Sequence, residues 1–177
     1  VLVDLTAEET TKITGGVEDI IRNFENVTGS DFSDLIVGDA NENTILGGNG
    51  RDNIRGEGGD DVIFGGLGFD VVAGGEGADT LSGGAEFADL VSYARIQQSL
   101  TFDFTSDFRN PDGSVNTANQ SSAPILEDFL ANDFEGFTGS DTFENTFIAT
   151  GFAKRLFLSG GQQNDTFLGG ANNDSFV

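Results

Sequence analysis

From Gly29 onward the chain repeats in nines: GSDFSDLIV, GDANENTIL, GGNGRDNIR, GEGGDDVIF, GGLGFDVVA and GGEGADTLS, then a looser GGAEFADLVSY. Self-similarity at a short fixed period marks a solenoid, in which each unit buries its apolar side only by stacking on its neighbours. Position 1 is always Gly. Position 6 is Asp34, Asn43, Asp52, Asp61, Asp70 and Asp79, with Asp89 one residue late. Position 8 is Ile36, Ile45, Ile54, Ile63, Val72 and Leu81, with Val91 one residue late.

Each column has a physical reading. Gly at positions 1, 2 and 4 permits positive φ and lets carbonyls converge on one point. The acid or amide at position 6 adds a side-chain oxygen to that point. A three-residue stretch with an aliphatic centre then forms a short strand that turns one side chain inward. Turn plus strand, taken twice, makes a coil of 18 residues. Asp34, Asp52, Asp70 and Asp89 therefore stack on one edge, and Asn43, Asp61 and Asp79 on the other.

Composition limits what such turns can bind. The chain has 30 acids, 8 bases and no His, for a formal charge of −22. That balance speaks against nucleic acid and anionic membranes, which call for Lys and Arg, and favours cations; a highly soluble, salt-adapted surface is the plainer reading. Without Cys there are no disulfides or thiolate ligands. No apolar run approaches the roughly 18 residues of a membrane span, and no signal-peptide pattern opens the chain. It starts at Val1 and stops at Val177 inside a repeat, so it is expected to be part of a longer protein. Donors that are all oxygen suit a hard cation: calcium accepts roughly 6–8 oxygens in flexible geometry, whereas magnesium demands a tight octahedron.

GGNGRDNIR, GGLGFDVVA and GGEGADTLS closely resemble the G-G-x-G-x-D-x-U-x nonapeptide of RTX (repeats-in-toxin, haemolysin-type) proteins, a calcium-binding β-helix repeat. The resemblance covers residues 29–93 in phase and returns, degraded, at GGQQNDTFL (160–168) and GGANNDSFV (169–177). It implies an all-β fold, a right-handed parallel β-roll or β-helix solenoid with Ca²⁺ between stacked turns. It also implies a ligand scheme. One turn gives the carbonyls of positions 2 and 4 with the acid at 6; the turn one coil later gives the carbonyls of positions 1 and 3 with its own acid.

Carried onto this chain, the best-matched site joins Gly48, Gly50 and Asp52 to Gly65, Leu67 and Asp70. The next joins Glu57, Gly59 and Asp61 to Gly74, Glu76 and Asp79. Flanking sites pair Ser30, Phe32 and Asp34 with Gly47, Asn49 and Asp52, and Asp39, Asn41 and Asn43 with Gly56, Gly58 and Asp61. A fifth pairs Gly66, Gly68 and Asp70 with Gly83, Ala85 and Asp89, across one extra residue. Asn43 keeps an oxygen but drops a charge, which weakens its site. Asp165 and Asp174 occupy the same column in the degraded block. The cofactor expectation is several Ca²⁺ ions, about four to six.

A longer duplication is visible. FENVTGSDF (24–32) echoes FEGFTGSDT (134–142), and LVDLT (2–6) echoes TFDFT (101–105). The expected organisation is an N-terminal strand and linker over 1–28, the calcium-binding roll over 29–93, a connecting segment over 94–138 and a second, degenerate block over 139–177. An insertion at 106–124, rich in Asn, Ser, Gly and Pro, reads as an exposed loop. GFAKRLFLS (151–159) places Lys154 and Arg155 where a ligand belongs. The Phe residues gathered in the second half, such as Phe137, Phe147, Phe157 and Phe167, are expected to supply by burial what calcium supplies in the first. Whether the two units form one solenoid or two lobes is open.

The resemblance implies a calcium-binding module of a larger secreted bacterial protein, exported unfolded through a type I route. Glycine-rich, acid-rich turns resist ordering on their own, so residues 29–93 are expected to be disordered without calcium and to fold on binding it outside the cell. Its role would be structural and secretion-assisting, with calcium ions as partners beside neighbouring domains of the parent protein. The alternative is an accessory module of a carbohydrate-active enzyme or adhesin, binding an extracellular polysaccharide or a protein partner. Catalysis within these residues is not expected. His, Cys and Trp are absent, Tyr93 is the single tyrosine, and pairs such as Glu8/Glu9 and Glu127/Asp128 read as solvated surface.

Overall fold

The computed structural model describes residues 2–4, 25–84, 89–97, 101–103, 115–116, 129–130, 136–148, 157–169 and 175–176, and among these no residue is helical. The first unit opens with β1 (Leu2–Asp4) and β2 (Asn26–Thr28). It continues through β3 (Leu35–Val37), β4 (Thr44–Asn49), β5 (Asn53–Gly58), β6 (Val62–Leu67), β7 (Val71–Glu76), β8 (Thr80–Gly84) and β9 (Leu90–Ser92). Odd strands stack on one wall and even strands on the other. Ile36 faces Ile54 and Ile45 faces Ile63 in parallel register, which is the two-repeat coil expected from the period.

Strands β4 to β7 are longer than the three residues expected. Each runs on into positions 1 to 3 of the following turn, so that Gly48 pairs with Gly66 and Asn49 with Leu67. The correction has a simple cause. Stacked turns of identical shape keep their backbones in register, so the ladder does not stop where the aliphatic triplet ends.

The extra residue before Asp89 leaves the stack intact. Val71 pairs with Leu90 and Val72 with Val91, and the Asp70 N–H still reaches Asp89. The late column members therefore rejoin the same edge and the same core. Ile36, Ile45, Ile54, Ile63, Val72, Leu81 and Val91 are all completely buried in one column. Their neighbours Leu35 and Phe64 point outward instead.

The second unit comprises β10 (Thr101–Asp103), β11 (Val115–Asn116), β12 (Phe129–Leu130), β13 (Gly136–Thr138), β14 (Thr146–Ile148), β15 (Phe157–Ser159), β16 (Thr166–Leu168) and β17 (Ser175–Phe176). It continues the first without a break along one wall, where eight strands run β1-β3-β5-β7-β9-β13-β15-β17. The opposite wall is divided into a sheet ordered β11-β12-β8-β6-β4-β2 and a separate β10-β14-β16. The two units thus form one solenoid with a shared wall, which answers the question the sequence left open.

The duplicated segments play matching parts: β1 lies beside β3 as β10 lies beside β14. They join the solenoid half a coil apart, however, since β2 belongs to the even wall and its echo β13 to the eight-stranded one. Within the insertion at 106–124, Val115–Asn116 is not loop but pairs antiparallel with β12. The remainder of that insertion lies outside the described residues.

The core changes character along its length. After Val91 it passes through Tyr93, Phe137, Phe147 and Leu158, with Phe167 packed against them. Phe147 and Phe167 stack with centroids 5.2 Å apart and planes 3° from parallel, and Phe176 follows at 5.0 Å. Aromatic burial is therefore the device here, as the composition of this half suggests. Phe143, Phe157 and Phe176 remain exposed; at Phe157 this is because Leu158 at the strand centre takes the inward position.

Candidate metal centre

Each turn begins from a position-6 side chain that is almost wholly buried: Asp34, Asn43, Asp52, Asp61, Asp70, Asp79 and Asp89 are all 4% exposed or less. One oxygen of each acid is committed to the backbone. Oδ1 of Asp52 accepts the N–H of Asp34, that of Asp61 the N–H of Asn43, and that of Asp70 the N–H of Asp52, at 2.8 Å each. Asp79 and Asp89 take the N–H of Asp61 and Asp70 in the same way. The interval is one coil, 18 residues in the regular part and 19 at Asp89. This carboxylate ladder ties successive coils together, a second duty for the column that spacing alone does not reveal.

The other oxygen faces the turn. Oδ2 of Asp52, Asp61 and Asp70 is buried without any hydrogen-bond donor. Beside Asp52 Oδ2 lies the Gly65 carbonyl, and the two oxygens fill the space that a side chain on Gly47 would occupy. Asp61 Oδ2 and the Gly74 carbonyl converge in the same way at Gly56, and Asp70 Oδ2 and the Gly83 carbonyl at Gly65. Position 1 is glycine because both oxygens stand where a Cβ would go.

The remaining carbonyls of the expected scheme face across the same gap. Those of Ser30, Gly48, Glu57 and Gly66 point at the position-2 residue one coil later, and those of Phe32, Asn41, Gly50 and Gly59 at the position-4 glycine. Gly48 and Gly66, with φ of 113° and 121°, make this approach possible. Position 3 is more committed, since the Leu67 carbonyl accepts the Gly50 N–H at 2.8 Å. The Glu76 carbonyl lies 3.8 Å from the Cβ place of Gly58. At the first turns, the Asp39 carbonyl accepts the Gly58 N–H and that of Ser30 the Asn49 N–H.

Burial without donors shows in the acidity of these groups. Burial pushes Asp52 up to about 6; the Asp34 N–H opposes the rise, and repulsion from Asp70 and Asp34 adds to it. Asp61 is pushed up to about 7, again by burial first, with the Asn43 N–H opposing and Asp79, Asp39 and Asp60 repelling. Asp70 is raised by burial against the Asp52 N–H. A buried carboxylate with an open oxygen is costly unless a proton or a cation meets it. Three such oxygens, each beside convergent carbonyls and none beside a nitrogen or sulfur donor, fit a calcium ion by the chemistry of the donor set.

Not every expected ligand is met in this way. Asn43 turns its Oδ1 to the Asp39 N–H at 2.9 Å, while its Nδ2 reaches only the Asp39 carboxylate at 3.5 Å. Asp165 lies one coil beyond Asn145 and accepts its N–H at 2.7 Å. Ala85 and Asp174, with Lys154 and Arg155, lie outside the described residues.

Two features escaped the sequence reading. Glu57 holds a positive φ of 78° at a position-2 place where Gly48, Gly66, Gly75 and Gly84 stand in the neighbouring repeats, and its carboxylate meets Arg95 at 2.8 Å and Arg55 at 3.4 Å. Asn145, buried in the second unit, was not singled out. The signal was present in the duplication, because FENVTGSDFSD ends on Asp34 where FEGFTGSDTFEN, one residue longer, ends on Asn145.

Comparison with known proteins agrees with the geometry. Residues 28–63, 55–86 and 157–177 match a family model described as RTX calcium-binding nonapeptide repeat (4 copies). No curated protein and no solved structure matches the chain. Within the matched stretch 28–86, glycine turns and aliphatic strands alternate. Residues 28–86 and 157–177 thus carry repeats similar to the RTX calcium-binding nonapeptide, and the strands described within them stack as a parallel β-roll.

Proposed function

We propose that the first unit folds by taking up calcium between stacked turns, and that this makes the chain a calcium-triggered structural module. The observation that carries the reading is the set of buried carboxylate oxygens on Asp52, Asp61 and Asp70 that no donor meets. The best-supported sites are Gly48, Gly50 and Asp52 with Gly65 and Asp70, and Glu57, Gly59 and Asp61 with Gly74 and Asp79. The sites opened by Ser30, Phe32 and Asp34, by Asp39, Asn41 and Asn43, and by Gly66, Gly68 and Asp70 flank them. A bound ion would neutralise the buried charge and draw carbonyls of two coils to one point; the chain's own residues would then hold the coils in register.

Extracellular modules bind calcium at around 10⁻⁴–10⁻³ M, far above cytosolic supply. A module of that affinity stays unfolded inside a cell and folds outside it. This agrees with export as an unfolded chain and with a secreted location for the parent protein, to which the module contributes a folding and spacer unit. Isothermal titration and circular dichroism of the chain, in calcium, in magnesium and in excess EGTA, test the reading. Strand signal should appear with calcium at a stoichiometry of several ions and should not appear with magnesium. Full strand content in EGTA would overturn it.

A further inference from the structure

The calcium scheme meets a different occupant in the second unit. Around the turn at 139–145, the carbonyls of Ser140 and Phe143, the carbonyl of Gly160 one coil later and Oδ1 of Asp165 converge on one point. That point holds the side-chain nitrogen of Asn145, 2.9 Å from each of the four oxygens. The three carbonyls are those the scheme assigns to an ion, and the carboxylate comes from the acid it assigns, through the Oδ1 that also accepts the Asn145 N–H at 2.7 Å. Ser140 stands at position 2, Phe143 at position 4 after one inserted residue, Gly160 at position 1 of the following turn and Asp165 at its position 6.

We propose that the Asn145 amide replaces calcium in this turn, closing the coil without a metal. A primary amide nitrogen has two hydrogens to donate and no lone pair free for a cation, so it shares two donors among four oxygens of the kind a cation would meet. Its orientation is fixed by its other end, because Oδ1 accepts the Ser140 N–H at 3.0 Å. Turning the amide over would set an NH₂ group against that N–H and put the oxygen into a nest of acceptors. Asn145 is 2% exposed, so water does not take over either role.

The first unit supplies the contrast. Asn43 has the same residue type at the same position, yet its nitrogen reaches only the Asp39 carboxylate, at 3.5 Å, and no carbonyl. The added residue between Gly139 and Asn145 is what lets the second asparagine carry its nitrogen between the coils.

This inference rests on the calcium reading of the first unit, and the test separates the two. Calcium stoichiometry is measured by titration calorimetry on the full chain, on Asn145→Asp and on Asp165→Asn. Asn145→Asp should bind one ion more than the unsubstituted chain, and terbium luminescence should report the added site. Asp165→Asn keeps an acceptor oxygen and should leave the count unchanged. A count that falls by one in Asp165→Asn, or one that does not rise in Asn145→Asp, overturns the proposal. Should Asn145→Asp fail to fold even in calcium, Asp165→Asn decides alone. No ion bound to the unsubstituted chain would instead overturn the calcium reading itself.

Discussion

The turn at Asp52 and the turn at Asn145 solve one problem in two ways. In both, backbone carbonyls and a carboxylate from two stacked coils crowd into a glycine-lined gap. At Asp52 the position-6 side chain adds a further anionic oxygen, and the gap calls for a cation. At Asn145 it adds an amide nitrogen that satisfies the gap internally. The cores differ in the same sense. The first unit buries one modest aliphatic per strand, whereas the second stacks Phe147, Phe167 and Phe176. On the proposed reading, one end of the solenoid would draw its cohesion from calcium in solution, while the other carries it in side chains.

The largest effect expected from breaking this contrast is Phe147→Ala. It removes a completely buried ring, and such truncations cost about 3–5 kcal/mol. The loss should appear in denaturant melts whether or not calcium is present. Asp70→Ala should behave otherwise. It removes the acceptor of the Asp52 N–H and an oxygen from two proposed sites. In calcium it should lower the ion count by two and raise the calcium midpoint at least about tenfold, ~1.4 kcal/mol. In EGTA the same change should cost far less, because it also removes an unmet buried charge. Equal losses in the two buffers would erase the distinction.

How much of this could be read in the sequence depends on which residues carried a period. The coil length, the two edges and the aliphatic column followed from Gly, Asp and Ile recurring in nines, because a strict period leaves the backbone few other ways to bury its apolar side. The length of β4 to β7 did not follow, since backbone pairing through a glycine turn depends on the neighbouring coil and not on local residue type. Asp52 was legible as an oxygen donor, but its Oδ1 bond to the Asp34 N–H was not, because only stacking brings that N–H within reach. Asn145 was missed because one inserted residue broke its phase. Glu57 was legible as a turn carbonyl, but its ion pair was not, because its partner Arg95 is distant in sequence.

A smaller effect separates the metal-free and metal-bound forms of the first unit by pH. The carboxyls of Asp52 and Asp61 lie above their ordinary value of 3.8, at about 6 and about 7. Without metal, the folded form therefore holds these protons more tightly than the unfolded chain does. Its stability is fully present below about pH 3.8 and is lost as pH rises through 6 to 7. In EGTA, strand content should rise as pH falls from 8 toward 4. In limiting calcium the trend should reverse, because protons compete with the ion for the same oxygens.

The smallest change is Glu57→Gly. It relieves a positive φ, a gain of up to about 1 kcal/mol, and gives up an exposed ion pair with Arg95 worth roughly 0–1 kcal/mol. Thermal melts should shift by no more than a few degrees. A large loss would assign the Glu57–Arg95 contact a weight that its exposed geometry does not suggest.

Hydrogen exchange at the position-6 amides tests the central claim most directly, since the N–H groups of Asp52 and Asp61 are held by carboxylates one coil further on. In calcium both should be strongly protected. In excess EGTA at neutral pH their protection should collapse, and the amide of Asn145 should lose much less. If Asp52 and Asp61 kept their calcium-level protection in EGTA, calcium would not be what holds the first unit together.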